Sequence, residues 1–218
     1  MPLGSCQQRC CMPSQWESPI GILEGFHSTH TNTSGEVEGI DRISYDYPNK
    51  RVAGTMTVTS GGKPVSKIKS ITDFHRKKTY IISDKNCSVS DIDGNEKRKD
   101  WECIPDDATY AGLTYFGGGN QRLYVDQWHY KIKGMDVRMD FARPSCVPVS
   151  EAVTGQLSAD MDGLVLVSYS GLTLGIRDER VFDPPENCKH SGQTITVGGS
   201  GTVGGIIGRM RRQAKHEP

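Results

Sequence analysis

The sequence predicts an all-β domain of two antiparallel sheets with few and short helices. Three observations carry this. Apolar and polar residues alternate through one segment after another, the period of a half-buried strand. No segment holds the three-to-four spacing of an amphipathic helix for long. Asn, Asp, Gly and Pro cluster between the alternating runs, where turns require them.

Taken in order, Met1-Pro2-Leu3-Gly4-Ser5 reads as a cloning scar and not as a signal peptide. His27 and His30 fall in a polar stretch assigned to a loop. A hairpin turns at Pro48-Asn49, setting Tyr45 opposite Val52 and Ile43 opposite Gly54, with Met56 and Val58 extending that face. Residues 67–75 and 77–83 are the next strands, carrying Ile68, Phe74, Tyr80 and Ile82. Residues 91–107 are charged and turn-rich, and Gly117-Gly118-Gly119 is a flexible tip. Leu123 and Val125 lie out of phase with Trp128, Tyr130 and Ile132, which predicts a bulge near Asp126-Gln127.

The cleanest alternation is in residues 135–141. Met135, Val137, Met139 and Phe141 share one face, and Asp136, Arg138 and Asp140 the other. Lys133-Gly134 suits a two-residue hairpin turn, pairing Ile132 with Met135, Tyr130 with Val137 and Trp128 with Met139. Residues 164–176 begin apolar on both faces, as a central strand buried on each side would. Residues 6–190 therefore form one β domain, and the Gly-rich, then basic stretch 191–218 reads as a disordered tail.

The chain has 218 residues, with 26 basic and 26 acidic side chains and a formal net charge of zero. No global field draws it to nucleic acid, and the Arg209-Met210-Arg211-Arg212 cluster is local. No apolar run reaches the roughly 20 residues that span a bilayer as a helix. Seven cysteines in a loop-rich chain point to an oxidising compartment, and an odd count leaves at least one thiol outside intrachain pairs. Asn32-Thr33-Ser34 and Asn86-Cys87-Ser88 are glycosylation acceptors, so Asn32 and Asn86 are candidate glycan sites of a secreted protein.

Catalytic signatures are missing. Gly198-Gly199-Ser200-Gly201-Thr202 fails the nucleophile-elbow pattern at its last place. The six histidines are scattered, and His129 faces outward. There is no Cys-x-x-Cys pair for zinc. Asp91-x-Asp93-Gly94 and Asp160-x-Asp162-Gly163 look like fragments of an EF-hand loop, yet the first lacks its leading carboxylate and the second lacks both end ligands. They read as Asp-Gly turns. The chain is not expected to be an enzyme.

One further run stands out: Leu174-Gly-Ile-Arg-Asp-Glu-Arg-Val-Phe-Asp-Pro-Pro-Glu-Asn-Cys188, where Pro184-Pro185 forbids helix and interior strand just before a cysteine. Together with Cys146-Val-Pro-Val149, Ser44-Tyr45-Asp46 and Cys10-x-x-Pro13-x-x-Trp16, its order resembles the ependymin-related proteins over residues 10–188. The resemblance implies a half-open β-sandwich like the bacterial lipoprotein carriers, with a deep apolar pocket, secretion and homodimerisation. The lysosomal lumen is a further compartment it allows. It implies disulfides Cys10–Cys146 and Cys87–Cys188, each closing on the order of 100 residues for roughly 4–5 kcal/mol of chain entropy. Cys6, Cys11 and Cys103 stay open; Cys11 with Cys103 is one pairing, which leaves Cys6 over. The family is associated with calcium, and Asp46 and Asp178 are the motif carboxylates able to donate, though both suit turn capping equally.

The functional expectation is a carrier that buries a lipid-like or other hydrophobic molecule. Its pocket lining is Met56, Val58, Trp128, Tyr130, Met135, Val137, Met139 and Phe141, a Met- and aromatic-rich face suited to varied apolar ligands. By residue type alone the same side chains more often fill a closed core. The sequence does not fix which sheet face is concave, so this list could invert as a block. The competing expectation is a calcium-dependent matrix or cell-adhesion protein with a solid interior.

Overall fold

The computed structural model describes residues 10–60, 63–83, 86–92, 103–132, 134–158 and 160–195. Residues 1–5, Cys6, the Asp93-Gly94 pair and residues 196–218 lie outside the described residues. Thirteen strands account for nearly all regular structure among the described residues. They are β1 (Gln15–Ser28), β2 (Thr33–Asp46), β3 (Arg51–Ser60), β4 (Lys63–Asp73), β5 (Lys78–Ser83), β6 (Cys87–Ile92) and β7 (Thr109–Gly118). There follow β8 (Gln121–Ile132), β9 (Met135–Ala142), β10 (Val147–Ser158), β11 (Met161–Tyr169), β12 (Thr173–Leu174) and β13 (Lys189–Ile195). A 3-10 turn spans Glu179–Phe182.

The all-β expectation holds, with one change of connectivity. All strands belong to one sheet, ordered β13-β6-β5-β4-β3-β2-β1-β11-β10-β9-β8-β7, with β12 against the start of β1. The meander β1 to β6 and the meander β7 to β11 meet where β1 pairs with β11. The two sheets expected from sequence are thus wings of one sheet that share β1. A long twisted sheet has this option because it coils rather than staying flat.

Both predicted hairpin registers are present: Tyr45 opposite Val52, and Ile132, Tyr130 and Trp128 opposite Met135, Val137 and Met139. Gly134 takes a φ of 83°, the positive value its turn requires. The bulge expected at Asp126-Gln127 is not there. β8 pairs β9 without a shift, and the irregularity falls on the other side of β8, between Tyr110 and Gly112. A phase change in the sequence marks that a ladder is disturbed but not which neighbour absorbs it.

Other local readings change as well. His27 lies in β1 rather than a loop, its Nδ1 within 3.1 Å of Ser34 Oγ. Asp162-Gly163 is inside β11 and not a turn. Glycine is required there by close approach, since a Cβ would sit 2.5 Å from the Gly25 carbonyl oxygen. β11 stops at Tyr169, and Leu164 and Leu166 are partly exposed, so the strand is not covered on both faces. The chain is ordered beyond residue 190, because β13 runs parallel to β6 as far as Ile195.

The main core lies on one face of the sheet. Trp16, Ile20 and Ile22 of β1 pack there with Tyr45, Met56, Val137, Met139, Phe141, Val165 and Val167 in a single buried cluster. No long helix is available among the described residues to cover that face, so the wings cover each other. The Pro-rich run forms a strap across the opposite face. Phe182 is buried against Ala53 and Ile71, with Tyr80, Ile176 and Val181 around them. Three disulfides tie the termini down: Cys10–Cys146, Cys11–Cys103 and Cys87–Cys188. These are the two pairs the resemblance implied and the third left open beside them.

Candidate functional site

On the face opposite the main core, an open groove of about 830 Å³ crosses the middle of the sheet. Strand alternation explains its lining. Ile20 and Ile22 point into the core, so Gly21 and Leu23 point the other way. Leu23 lies opposite Leu166, which lies opposite Ala152, which lies opposite Arg138. One step along, Ile40, Gly21, Ser168, Ser150, Asp140 and Gln127 form a parallel row. The groove is therefore two adjacent rows of outward side chains carried by neighbouring strands.

The rows are unequal in chemistry. At the β2–β1–β11 end, Ile40 is 74% exposed, Leu23 46% and Leu166 40%. Large aliphatic side chains this exposed and this close together are uncommon on a soluble domain. At the β8–β10 end the lining is polar. Gln127 Nε2 donates to Asp140 Oδ1 at 2.9 Å, and Ser150 Oγ donates to Asp140 Oδ2. Further along β9, outside the groove, Asp136 is held below the usual carboxylate range, chiefly by its hydrogen bond with His129 Nε2 at 3.0 Å and with help from Lys131.

The residues predicted to line a pocket sit on the other face. Met56, Tyr130, Val137, Met139 and Phe141 belong to the main buried cluster, and Trp128 and Met135 pack against it half-buried. Val58 pairs through its backbone with Gly39 and Ser66, but its side chain lies outside the described residues. The period-2 reading grouped these residues correctly on one face. The groove belongs to the reverse block. Sequence held a signal for it in the outward aliphatics: Leu164 and Leu166 read as part of a strand buried on both faces, and Leu23 and Ile40 drew no reading.

Two carboxylates within the main core give it a polar spot. Glu24 and Glu151 are both buried on the inward face. Tyr169 Oη donates to Glu151 Oε2 at 3.0 Å. Burial and the adjacent Glu151 charge both push the Tyr169 phenol well above its ordinary value, and Tyr130 is raised for the same two reasons.

Asp46 and Asp178 are each engaged by an arginine. The buried Asp46 carboxylate accepts from Gln15 Nε2 at 2.9 Å, Asn49 Nδ2 at 2.8 Å and Arg51 Nε at 2.7 Å. Burial alone would raise its pKa, and the hydrogen bonds from Asn49, Gln15 and Arg51 outweigh that and lower it. Asp178 caps the 3-10 turn through the Arg180 N–H and also binds the Arg180 guanidinium. Among the described residues no three His, Cys, Asp or Glu side chains gather as a metal site. Asn32, in the β1–β2 turn, and Asn86, just before β6, are both exposed.

Comparison with known proteins follows the same lines. The Ependymin family model matches residues 63–188. Ependymin-related protein 1 of Haliotis asinina is 25% identical over 186 residues, covering 82% of this chain and 90% of that protein. Mammalian ependymin-related protein 1 of Mus musculus is 23% identical over 194 residues, covering 84% and 77%. Among solved structures, an uncharacterised conserved protein from Thermus thermophilus superposes with a TM-score of 0.50 at 6% identity, covering 82% and 90%. That last likeness speaks to fold alone.

Proposed function

Because this chain belongs to the ependymin family, we propose that it binds a hydrophobic, lipid-like molecule and acts by sequestration or transfer rather than turnover. The observation that carries this is the groove, with Ile40 largely and Leu23 and Leu166 partly open to solvent along one end. A ligand laid over those side chains would gain about 25 cal/mol for each Å² of apolar surface removed from water. The polar end at Gln127, Arg138 and Asp140 would then face the ligand's hydrated part. Three disulfides and two exposed glycosylation acceptors support an extracellular, oxidising setting.

Intact-mass spectrometry, native and then denatured, on protein secreted from eukaryotic cells without detergent tests the proposal. A native excess mass released as lipid-sized molecules is expected. A bare mass that gains nothing after incubation with mixed lipids would sink it and favour the adhesion reading. A calcium ion at Asp46 or Asp178 would have to displace Arg51 or Arg180, so the supported form of the proposal is binding without a metal. Repeating the measurement with calcium and with a chelator checks this, and calcium-dependent loading would restore the metal.

A further inference from the structure

The β7–β8 hairpin is apolar where nothing among the described residues covers it. Leu113, Tyr115, Phe116, Leu123 and Tyr124 are each between 43% and 51% exposed. Tyr115 lies opposite Tyr124 and Phe116 opposite Leu123. Alternation therefore puts Leu113, Tyr115 and Tyr124 on one face of the ribbon, and Phe116 and Leu123 on the other. β7 is the last strand of the sheet, and its outer edge has no strand partner among the described residues. The hairpin is also nearly without charge. From Thr109 to Val125 there is no Asp or Glu in a chain that carries 26, and Arg122 is the single cation.

We propose that the tip of this hairpin docks the protein on an anionic lipid bilayer, with Phe116 and Leu123 entering the interface. A flat protein partner would cover one face of the ribbon, whereas lipid surrounds both. At roughly 3.3 Å per residue, the Phe116–Leu123 pair stands about 7 Å behind the closing Gly118–Gln121 pair, and Tyr115–Tyr124 about 10 Å. Those depths match an element sunk roughly 5–10 Å into the interface, with amphipathic tyrosines at the headgroup level. The Arg122 guanidinium lies over the Tyr115 ring, 4.7 Å from its centroid, so it is drawn back from the tip to where lipid phosphates sit. The unpaired edge of β7 sets the limit of insertion, because bare backbone groups are not tolerated in the hydrocarbon.

Co-sedimentation of the full chain with phosphatidylcholine vesicles, with and without phosphatidylserine, tests the docking. Wild-type protein should partition onto the phosphatidylserine vesicles. The double variant Phe116→Ser/Leu123→Ser should lose about tenfold or more, and Arg122→Gln about fivefold of the preference for anionic lipid. The added indole of an Asn120→Trp variant should be quenched by brominated lipid, a readout that does not depend on the double variant folding. Absence of wild-type partitioning, equal binding by the double variant, or an unquenched indole at the hairpin tip would each overturn the proposal. So would a wild-type dimer by light scattering that the double variant dissociates, since a second copy would then own the surface. Apolar-probe uptake by the groove, read on the same samples, keeps this outcome separate from the carrier proposal.

Discussion

Leu23 of β1 lies directly opposite Leu166 of β11, and both turn away from the buried core towards the groove. This pair joins the two wings of the sheet on the side open to solvent. It distinguishes the groove from the core experimentally. Leu166→Lys should abolish uptake of an apolar fluorescent probe while leaving the melting transition within about 1 kcal/mol of wild type, as for other partly exposed positions. Met139→Lys should instead unfold the protein, because it buries an unpaired ammonium at a position 4% exposed. Probe titration alongside thermal melting reads both, and a folded Met139→Lys protein that had lost binding would return the site to the other face.

Asp46 joins β2 to β3 through Arg51, and Arg51 also pairs with Glu179 of the strap. Asp46→Asn leaves the arginine without its main partner and should cost about 3 kcal/mol. The sign with pH follows from the lowered carboxyl pKa in the fold. The stabilisation is full above the ordinary aspartate value and disappears as pH falls through the depressed one. Wild type should therefore lose this increment only in acid, and the variant should have none to lose. Urea midpoints measured from pH 2 to pH 7 give the comparison.

Phe182 anchors the strap. It is buried against Ala53 and Ile71, with the Arg51 guanidinium 4.2 Å from its ring centroid. Phe182→Ala should cost about 3–5 kcal/mol through the cavity it opens. Limited proteolysis should then cut between the 3-10 turn and Cys188 before the sheet itself is digested. Cleavage that began in β1 or β2 would show that the strap is not a separate layer.

Tyr130 and Tyr169 should resist ionisation. Both are kept neutral by burial and by the Glu151 charge. Their contribution is complete below the ordinary phenol value near 10 and is lost as pH rises towards the elevated folded values. Absorbance titration near 295 nm should show these two ionising only with alkaline unfolding. Replacing both with Phe should remove that late step.

Much of the fold was legible in sequence because strands announce themselves locally. The Lys133-Gly134 turn fixed the Trp128, Tyr130 and Ile132 register, and the Pro48-Asn49 turn did so for Tyr45. The Pro184-Pro185 run was legible as a break but not as a layer lying over Ala53 and Ile71. β1, which contributes Trp16, Ile20, Ile22 and Leu23, was not legible as a strand, and its His27 read as loop. Its glycines and buried Glu17 and Glu24 obscure the alternation, although it is the strand on which both wings hang.

What the sequence determined by itself was which residues share a face, since a period of two follows from the geometry of any extended chain. It could not determine which face would be covered, because alternation reads the same from either side. That choice was made by contacts far apart in the chain. β1 pairs with β11 across more than a hundred residues, and the wings then close over Met56, Val137 and Met139. Closing over that face left Leu23, Ile40 and Leu166 outside, and so placed the groove.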